Sequence, residues 1–412
     1  MIGEPLEEGR SEAPEPDSPF LRFVFFPVGH GSCTLISLPP EKVGEKRVYG
    51  VVDSKHPYAR PVIEYMRNPW FPFERPVEAS PIPLRFVILT HYHRDHYLGV
   101  DHLVGHNGTF SCELFLHPFP PPGAVARRRD VNPKDRERLD RIQANVRNYR
   151  PLHLHTRYDG FHRPKATGVE DPTFSVRGLA PCGNTLANMK VWERIADATC
   201  ANLVSSAVRL QFGRCAVLFG GDVEEREWYG IIEELTAANE IGLLAANLSL
   251  APHHGGTGNA PELWEKVSRC SHWHSRRAPS IAKNRRVSQT LAIISCGGGH
   301  PTSPSQSTIK VLLENHSTIC CTEPSKCCLE RFGSPDASWP CSRLAGQEDP
   351  FFQGFVTKYR LPKTAKPRTD YRTGSICVDI HAGRRPQWYR HDGKQANRQP
   401  ESLDDPACRK AV

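Results

Sequence analysis

The chain lacks any run of about 18 consecutive apolar residues, so no segment reads as a membrane-spanning helix. Its start also lacks the basic-then-apolar pattern of a secretory signal. Residues 1–18 instead carry six acidic residues against one Arg, with several Pro. This composition predicts a disordered acidic lead-in over residues 1–19 and a cytoplasmic protein. No internal repeat is found. Hydrophobic residues make up 38% and charged residues 24% of 412, enough for a substantial core in one large domain or two small ones.

Fourteen Cys occur without a secretion signal, which favours reduced thiols or metal ligands over disulfides. Cys33, Cys215, Cys296 and Cys377 stand in apolar runs and read as small buried residues. Cys320, Cys321, Cys327 and Cys328, with Cys341 beyond, form a cluster whose spacing fits no standard zinc finger. The net charge of +8 includes the acidic lead-in, so the remaining body is more basic still. Arg127–Arg129, Arg276-Arg277, Lys283–Arg286 and Arg384-Arg385 are its clusters. A positive body suits a polyanionic partner, although a solvated surface has the same composition.

What the chain does have is a dense cluster of metal-ligand chemistry. Residues 91–96 read His-Tyr-His-Arg-Asp-His and follow the strand-like run 84–90. His91, His93, Asp95 and His96 offer imidazole nitrogen and carboxylate oxygen, donors suited to zinc, manganese and iron. Alternate positions on extended backbone point the same way, so such a loop can serve two adjacent ions.

The rest of the chain reads as strands that end in chemically able residues. Strands are expected within 20–38, 47–53, 113–117, 173–179, 205–212, 215–220, 245–251, 291–295, 318–321 and 375–381. Helices are expected over 61–68, from 99, and over 133–150, 224–240, 260–267 and 305–315. The strand ends carry Asp53, the 91–96 cluster, Asp222, His253 with His254, and His300. In α/β architectures such ends gather at one edge of a sheet, where ligands bind. Residues 118–165, 268–290 and 322–373 break this rhythm and read as basic or Cys-rich insertions. Residues 391–412 read as a disordered tail.

His91–His96 resembles the HxHxDH signature of the metallo-β-lactamase superfamily. Val28-Gly-His-Gly-Ser32 with Val51-Val-Asp53 resembles the "VGQGDS … LIDTG" opening of the metallo-β-lactamase domain in competence-type DNA-uptake proteins. Leu218–Asp222 resembles their "LLTGD", Ala251–Gly255 their "VPHHGS", and Ile293–Pro301 their "ISVG … GHPS". The resemblance implies an αββα sandwich, of α/β class, over residues 20–390. It also implies two divalent ions, zinc or manganese. His91 and His93 would bind the first, Asp95 and His96 the second, and Asp222 would bridge them. The last ligand falls in the His253-His254 pair, with His254 favoured for its place before Gly255. A further His motif between the cluster and Asp222 is not evident. Ala201–Ser206 stands there instead, so the first ion would be the more weakly held, with Asn202, Ser205 or Ser206 lining the site.

Asp95, His253 and His300 are the candidate catalytic residues, and Asp53 reads as an acid that orients the metal loop. His153 and His155 read as surface residues, and His272-Trp273-His274 as a segment able to stack on a base. The function expected is a metal-dependent hydrolase, specifically a phosphodiesterase or nuclease using metal-bound hydroxide. Its expected partners are nucleic acid, DNA favoured, and a protein in a larger assembly. The alternatives are a hydrolase of lactones, small phosphoesters or cyclic nucleotides, or a non-enzymatic metal-binding module.

Overall fold

The computed structural model describes residues 20–39, 47–67, 80–104, 109–118, 125–126, 131–145, 148–161, 174–192, 200–213, 215–256, 259, 261–268, 290–295, 303–315, 318–322, 375–381 and 387–391. The lead-in 1–19, the Arg and Lys clusters named above, residues 269–289, His300, residues 323–374 and the tail from 392 lie outside the described residues.

The first sheet takes β1 (Phe20–Phe25), β2 (Cys33–Leu38), β3 (Val48–Ser54), β4 (Ile82–Ile88), β5 (Phe110–Cys112), β6 (Phe115–His117) and β7 (Tyr149–Pro151). The second takes β8 (Arg157–Phe161), β9 (Phe174–Gly178), β10 (Val208–Phe212), β11 (Cys215–Phe219), β12 (Leu248–Leu250), β13 (Leu291–Ile294) and β14 (Thr318–Cys321). The chain then returns to the first sheet with β15 (Ser375–His381) and β16 (Gln387–His391). The first sheet runs β16-β15-β1-β2-β3-β4-β6-β7, with β5 also on β4, and the second β14-β13-β12-β11-β10-β9-β8.

The central strands of both sheets are buried on two faces, and the residue alternation shows how. In β1, Leu21, Phe23 and Phe25 join the cluster between the sheets while Val24 faces outward. In β11, Cys215, Val217 and Phe219 point inward and Ala216 and Leu218 outward. Successive side chains on a strand face opposite sides, so apolar residues at every position demand cover on both. Phe219 crosses the interface to Phe23 and Phe25, at ring-centroid distances of 6.1 and 6.3 Å. Phe86 stacks on Phe174 at 5.7 Å.

Helices supply the outer layers. On the first sheet lie α1 (Arg60–Met66), α2 (Val100–Val104) and α3 (Pro133–Asn145), packed through Val62, Leu103, Leu139 and Ile142. On the second lie α4 (Glu225–Ala237), α5 (Pro261–Ser268) and α6 (Gln306–Glu314). α4 buries Trp228, Ile231 and Leu235, one stripe at helical spacing. The four layers are helix, sheet, sheet, helix, the αββα sandwich expected.

Three features depart from the sequence reading. Residues 118–165 are not a separate insertion throughout, because β7 pairs with β6 and β8 with β9, giving one strand to each sheet. β5 is an added short strand on β4. β16 pairs with β15 and includes His391, so the folded region extends one residue past the expected boundary. Cys33, Cys215 and Cys377 are buried free thiols, as foreseen. Burial pushes the Cys33 thiol up to about 12.

Candidate metal centre

β3 pairs parallel with β4, and β11, β12 and β13 are parallel to one another. Parallel strands deliver their C-terminal ends to one edge. Asp53 lies at the end of β3, the His91–His96 loop follows β4, Asp222 follows β11, and His253 with His254 follow β12. Backbone conformation is unusual at several of these points. Asp53, His253 and His254 have φ of 56, 48 and 54°, in the left-handed region that non-Gly residues seldom occupy. Such strain costs of order 1–3 kcal/mol per residue and clusters at functional sites.

Asp53 is buried and organises the metal loop from beneath. Its carboxylate accepts from the Thr90 amide at 2.8 Å and from the Thr90 hydroxyl at 2.9 Å. It also accepts from His96 Nδ1 at 2.8 Å. That bond commits the His96 proton to Nδ1 and leaves Nε2 for a metal, the usual role of a carboxylate behind a ligating His. His254 is set the same way, donating from Nδ1 to the Ser295 carbonyl at 2.9 Å. Ser205 holds the Asp222 loop, its hydroxyl accepting from the Asp222 amide at 2.8 Å.

The side chains converge. Asp222 Oδ2 lies 3.4 Å from His91 Nε2, while its Oδ1 lies 3.3 Å from His96 Nε2 and 3.6 Å from His254 Nε2. Asp95 Oδ2 lies 3.5 Å from His254 Nε2 and 3.6 Å from His30 Nε2. Two groups of potential ligand atoms result, His91–His96–Asp222 and His30–Asp95–His254, each with its atoms within 4.8 Å of one another. His96 Nε2 and His254 Nε2, 3.3 Å apart, join them.

His93 is half-buried, with its ring 4.7 Å from that of His91, and belongs to neither group. His253 is half-buried beside His254, and its Nδ1 has no hydrogen-bond partner among the described residues. Ser206 donates its amide to the Thr90 carbonyl at 2.8 Å and Asn202 bonds Glu224 at 3.1 Å, so both stabilise the loops. His30 is the residue that the sequence reading missed. Its signal was a metal-ligating side chain between two glycines in the loop joining the first two strands.

The electrostatics follow from packing three imidazoles around one buried carboxylate. Burial, with His96 nearby, lowers the His91 pKa to about 4 against the pull of Asp222. Burial would also lower His96, but Asp222 and Asp53 on either side raise it well above the usual histidine range. Burial alone would raise Asp222, yet His96, His254 and His91 hold it well below the carboxylate range. His91 Nε2 and Asp222 Oδ1 are buried without a hydrogen-bond partner among the described residues. Leaving such groups bare costs about 1–3 kcal/mol each, and a divalent cation would satisfy both. The donor set of imidazole and carboxylate fits zinc, manganese or iron.

The sequence profile described as Metallo-beta-lactamase superfamily matches residues 55–158, the stretch that carries the His91–His96 loop. Over that stretch the chain is similar to the metallo-β-lactamase superfamily. Among solved structures, the chain is similar to zinc-bound PqqB from Methylobacterium extorquens, at 15% identity and TM-score 0.36 over 70% of this chain and 85% of that one. It is similar to a CmlA β-hydroxylase mutant at 13% identity and TM-score 0.35, over 73% of this chain and 52% of that one. A putative metal-dependent hydrolase from Parabacteroides distasonis gives 9% identity and TM-score 0.31, over 73% and 92%. No curated protein matches the chain. The metallo-β-lactamase fold is that of metal-dependent hydrolases and typically binds divalent ions. Among the described residues no helix is long and apolar enough to cross a membrane.

Proposed function

We propose that this metallo-β-lactamase-fold protein is a phosphodiesterase acting on nucleic acid, DNA in particular, with two divalent ions, zinc or manganese. The observation that carries the reading is Asp222, whose two carboxylate oxygens face different imidazoles, His91 on one side and His96 with His254 on the other. A carboxylate so placed is suited to lie between two ions. Divalent ions in such a pair lower the pKa of water toward neutrality and clamp a phosphoryl oxygen.

The protein's own residues do the rest. Asp53 and Ser205 fix the loops of His96 and Asp222 so that their ligand atoms need no rearrangement. In this reading His253, whose amide donates to the Gly221 carbonyl at 2.8 Å in its strained turn, would give a proton to the departing oxygen. The choice of nucleic acid over a small ester rests on the net charge of +8 and on the motifs shared with DNA-uptake proteins. Phosphate binding by Lys and Arg is mostly electrostatic and weakens steeply with salt.

Purified protein supplied with Mn²⁺ or Zn²⁺ is expected to cleave single- or double-stranded DNA, with activity falling steeply as salt rises. Hydrolysis confined to a small phosphoester or lactone and indifferent to salt would assign the site to small molecules instead. Absence of hydrolysis with every metal would overturn the enzymatic reading.

A further inference from the structure

The Val28–Ser32 loop brings an imidazole to the metal centre from a direction that the HxHxDH signature does not cover. In the "VGQGDS" motif that this loop resembles, the position held here by His30 is a glutamine. His30 Nε2 faces Asp95 Oδ2 at 3.6 Å, and its ring lies 4.3 Å from that of His254. These three residues form a complete ligand group by distance, with two imidazoles and one carboxylate.

The loop is docked rather than merely near. The Ser32 amide donates to the Asp95 carbonyl at 3.1 Å. The Ser295 hydroxyl donates to the Gly31 carbonyl, and the Lys55 ammonium to the His30 carbonyl. Gly31, at φ 140°, permits the close approach, since a Cβ there would meet the Asp95 carbonyl oxygen at 2.6 Å. The backbone carrying His30 is thus bonded to the loop that carries Asp95 and to Ser295, whose carbonyl holds the His254 ring, and its side chain faces Asp95 and His254.

We propose that His30 is a ligand of the ion that Asp95 and His254 bind. This rests on the metal-centre reading above and deepens it. An added imidazole shifts that ion toward a nitrogen-rich environment, which suits zinc, iron, nickel or copper better than magnesium or calcium.

The test compares wild-type protein with His30→Gln. X-ray absorption of the zinc-loaded proteins counts imidazoles per ion, and competition with a chelator gives affinity. The variant is expected to lose one imidazole per protein and to bind its tighter ion at least about tenfold more weakly. An unchanged imidazole count and affinity would overturn the proposal while leaving the metal centre intact. Failure of the wild type to bind zinc would overturn both. A measurement on the wild type alone guards against a variant that does not fold. Carbethoxylation of His30, whose side chain is 29% exposed, is read by mass spectrometry with and without zinc. Zinc is expected to protect His30, and equal modification in both states would count against its ligation.

Discussion

His96 stands between two carboxylates, its Nδ1 donating to Asp53 Oδ2 at 2.8 Å while its Nε2 faces Asp222 Oδ1 at 3.3 Å. One of these carboxylates can share a metal with His96, and the other can only orient it. Replacing Asp53 with Asn keeps the shape and the tolerance for φ 56° but removes the charge. Asp53→Asn is expected to weaken metal binding by about 10–100-fold, measured by calorimetry against a competing chelator. An unchanged affinity would remove Asp53 from that role.

The same pair sets a pH dependence. Raised by Asp222 and Asp53, His96 is protonated at neutral pH in the metal-free protein. A cation can take Nε2 only after that proton leaves. Metal affinity should therefore climb as pH rises toward the elevated His96 pKa and decline as pH falls. His91, lowered to about 4, is already neutral at pH 7 and releases nothing there. Calorimetry in buffers of differing ionisation enthalpy should count about one proton released from His96 on loading. A count of zero would contradict this account.

Gly221 lets the Asp222 loop turn. Its φ is 55°, and a Cβ there would meet the Ser205 hydroxyl oxygen at 2.5 Å and the Ser206 carbonyl oxygen at 2.7 Å. Gly221→Ala should destabilise the fold by about 1–2 kcal/mol or more from the backbone penalty alone. Gly242, with no atom within 4 Å of such a Cβ, is the control and should tolerate Ala within about 1 kcal/mol. Thermal unfolding of both variants separates the cases.

Asp222→Asn tests the chemistry. Removing the charge that faces three imidazoles should lower hydrolysis by about a hundredfold or more, since a paired-metal site supplies several kcal/mol to the transition state. On the proposed reading, DNA binding at low salt should persist, since phosphate contacts by Lys and Arg do not depend on the metal ligands. Equal turnover by the variant would place the chemistry outside this site.

Much of this fold was legible because it is written in local signals. The strands that carry the site are short apolar runs punctuated by Gly, Asp or His, and such runs announce themselves. Asp222 and His254 stand out because each follows such a strand and lies in a stretch that resembles a motif of the family. Of the four strands that went unread, two carry no local mark. Tyr149–Pro151 is three exposed residues at a sheet edge, recognisable only by its pairing with β6. Arg157–Phe161 alternates weakly and is defined by β9 beside it. His30 was missed for a related reason. Its loop is distant in sequence from residues 91–96 and 254, and the packing of Gly31 against Asp95, with the bonds of Ser32 and Ser295, brings it there. His93 stands outside both ligand groups at the extended residue before the short helix Arg94–Tyr97, a placement that the spacing of the signature does not encode.

Ser295 holds two loops with one residue, its carbonyl accepting from His254 and its hydroxyl donating to Gly31. His254 and Ser295 come from the second sheet, and Gly31 and His30 from the first. Asp222 repeats the pattern from the second sheet toward His91 and His96 of the first. The ligand atoms therefore meet only while the two halves of the sandwich are correctly aligned, and bound ions would act as a clasp across the seam. Ion binding and sheet docking then belong to one equilibrium: every tenfold rise in free metal above its dissociation constant adds about 1.4 kcal/mol to the stability of the whole sandwich.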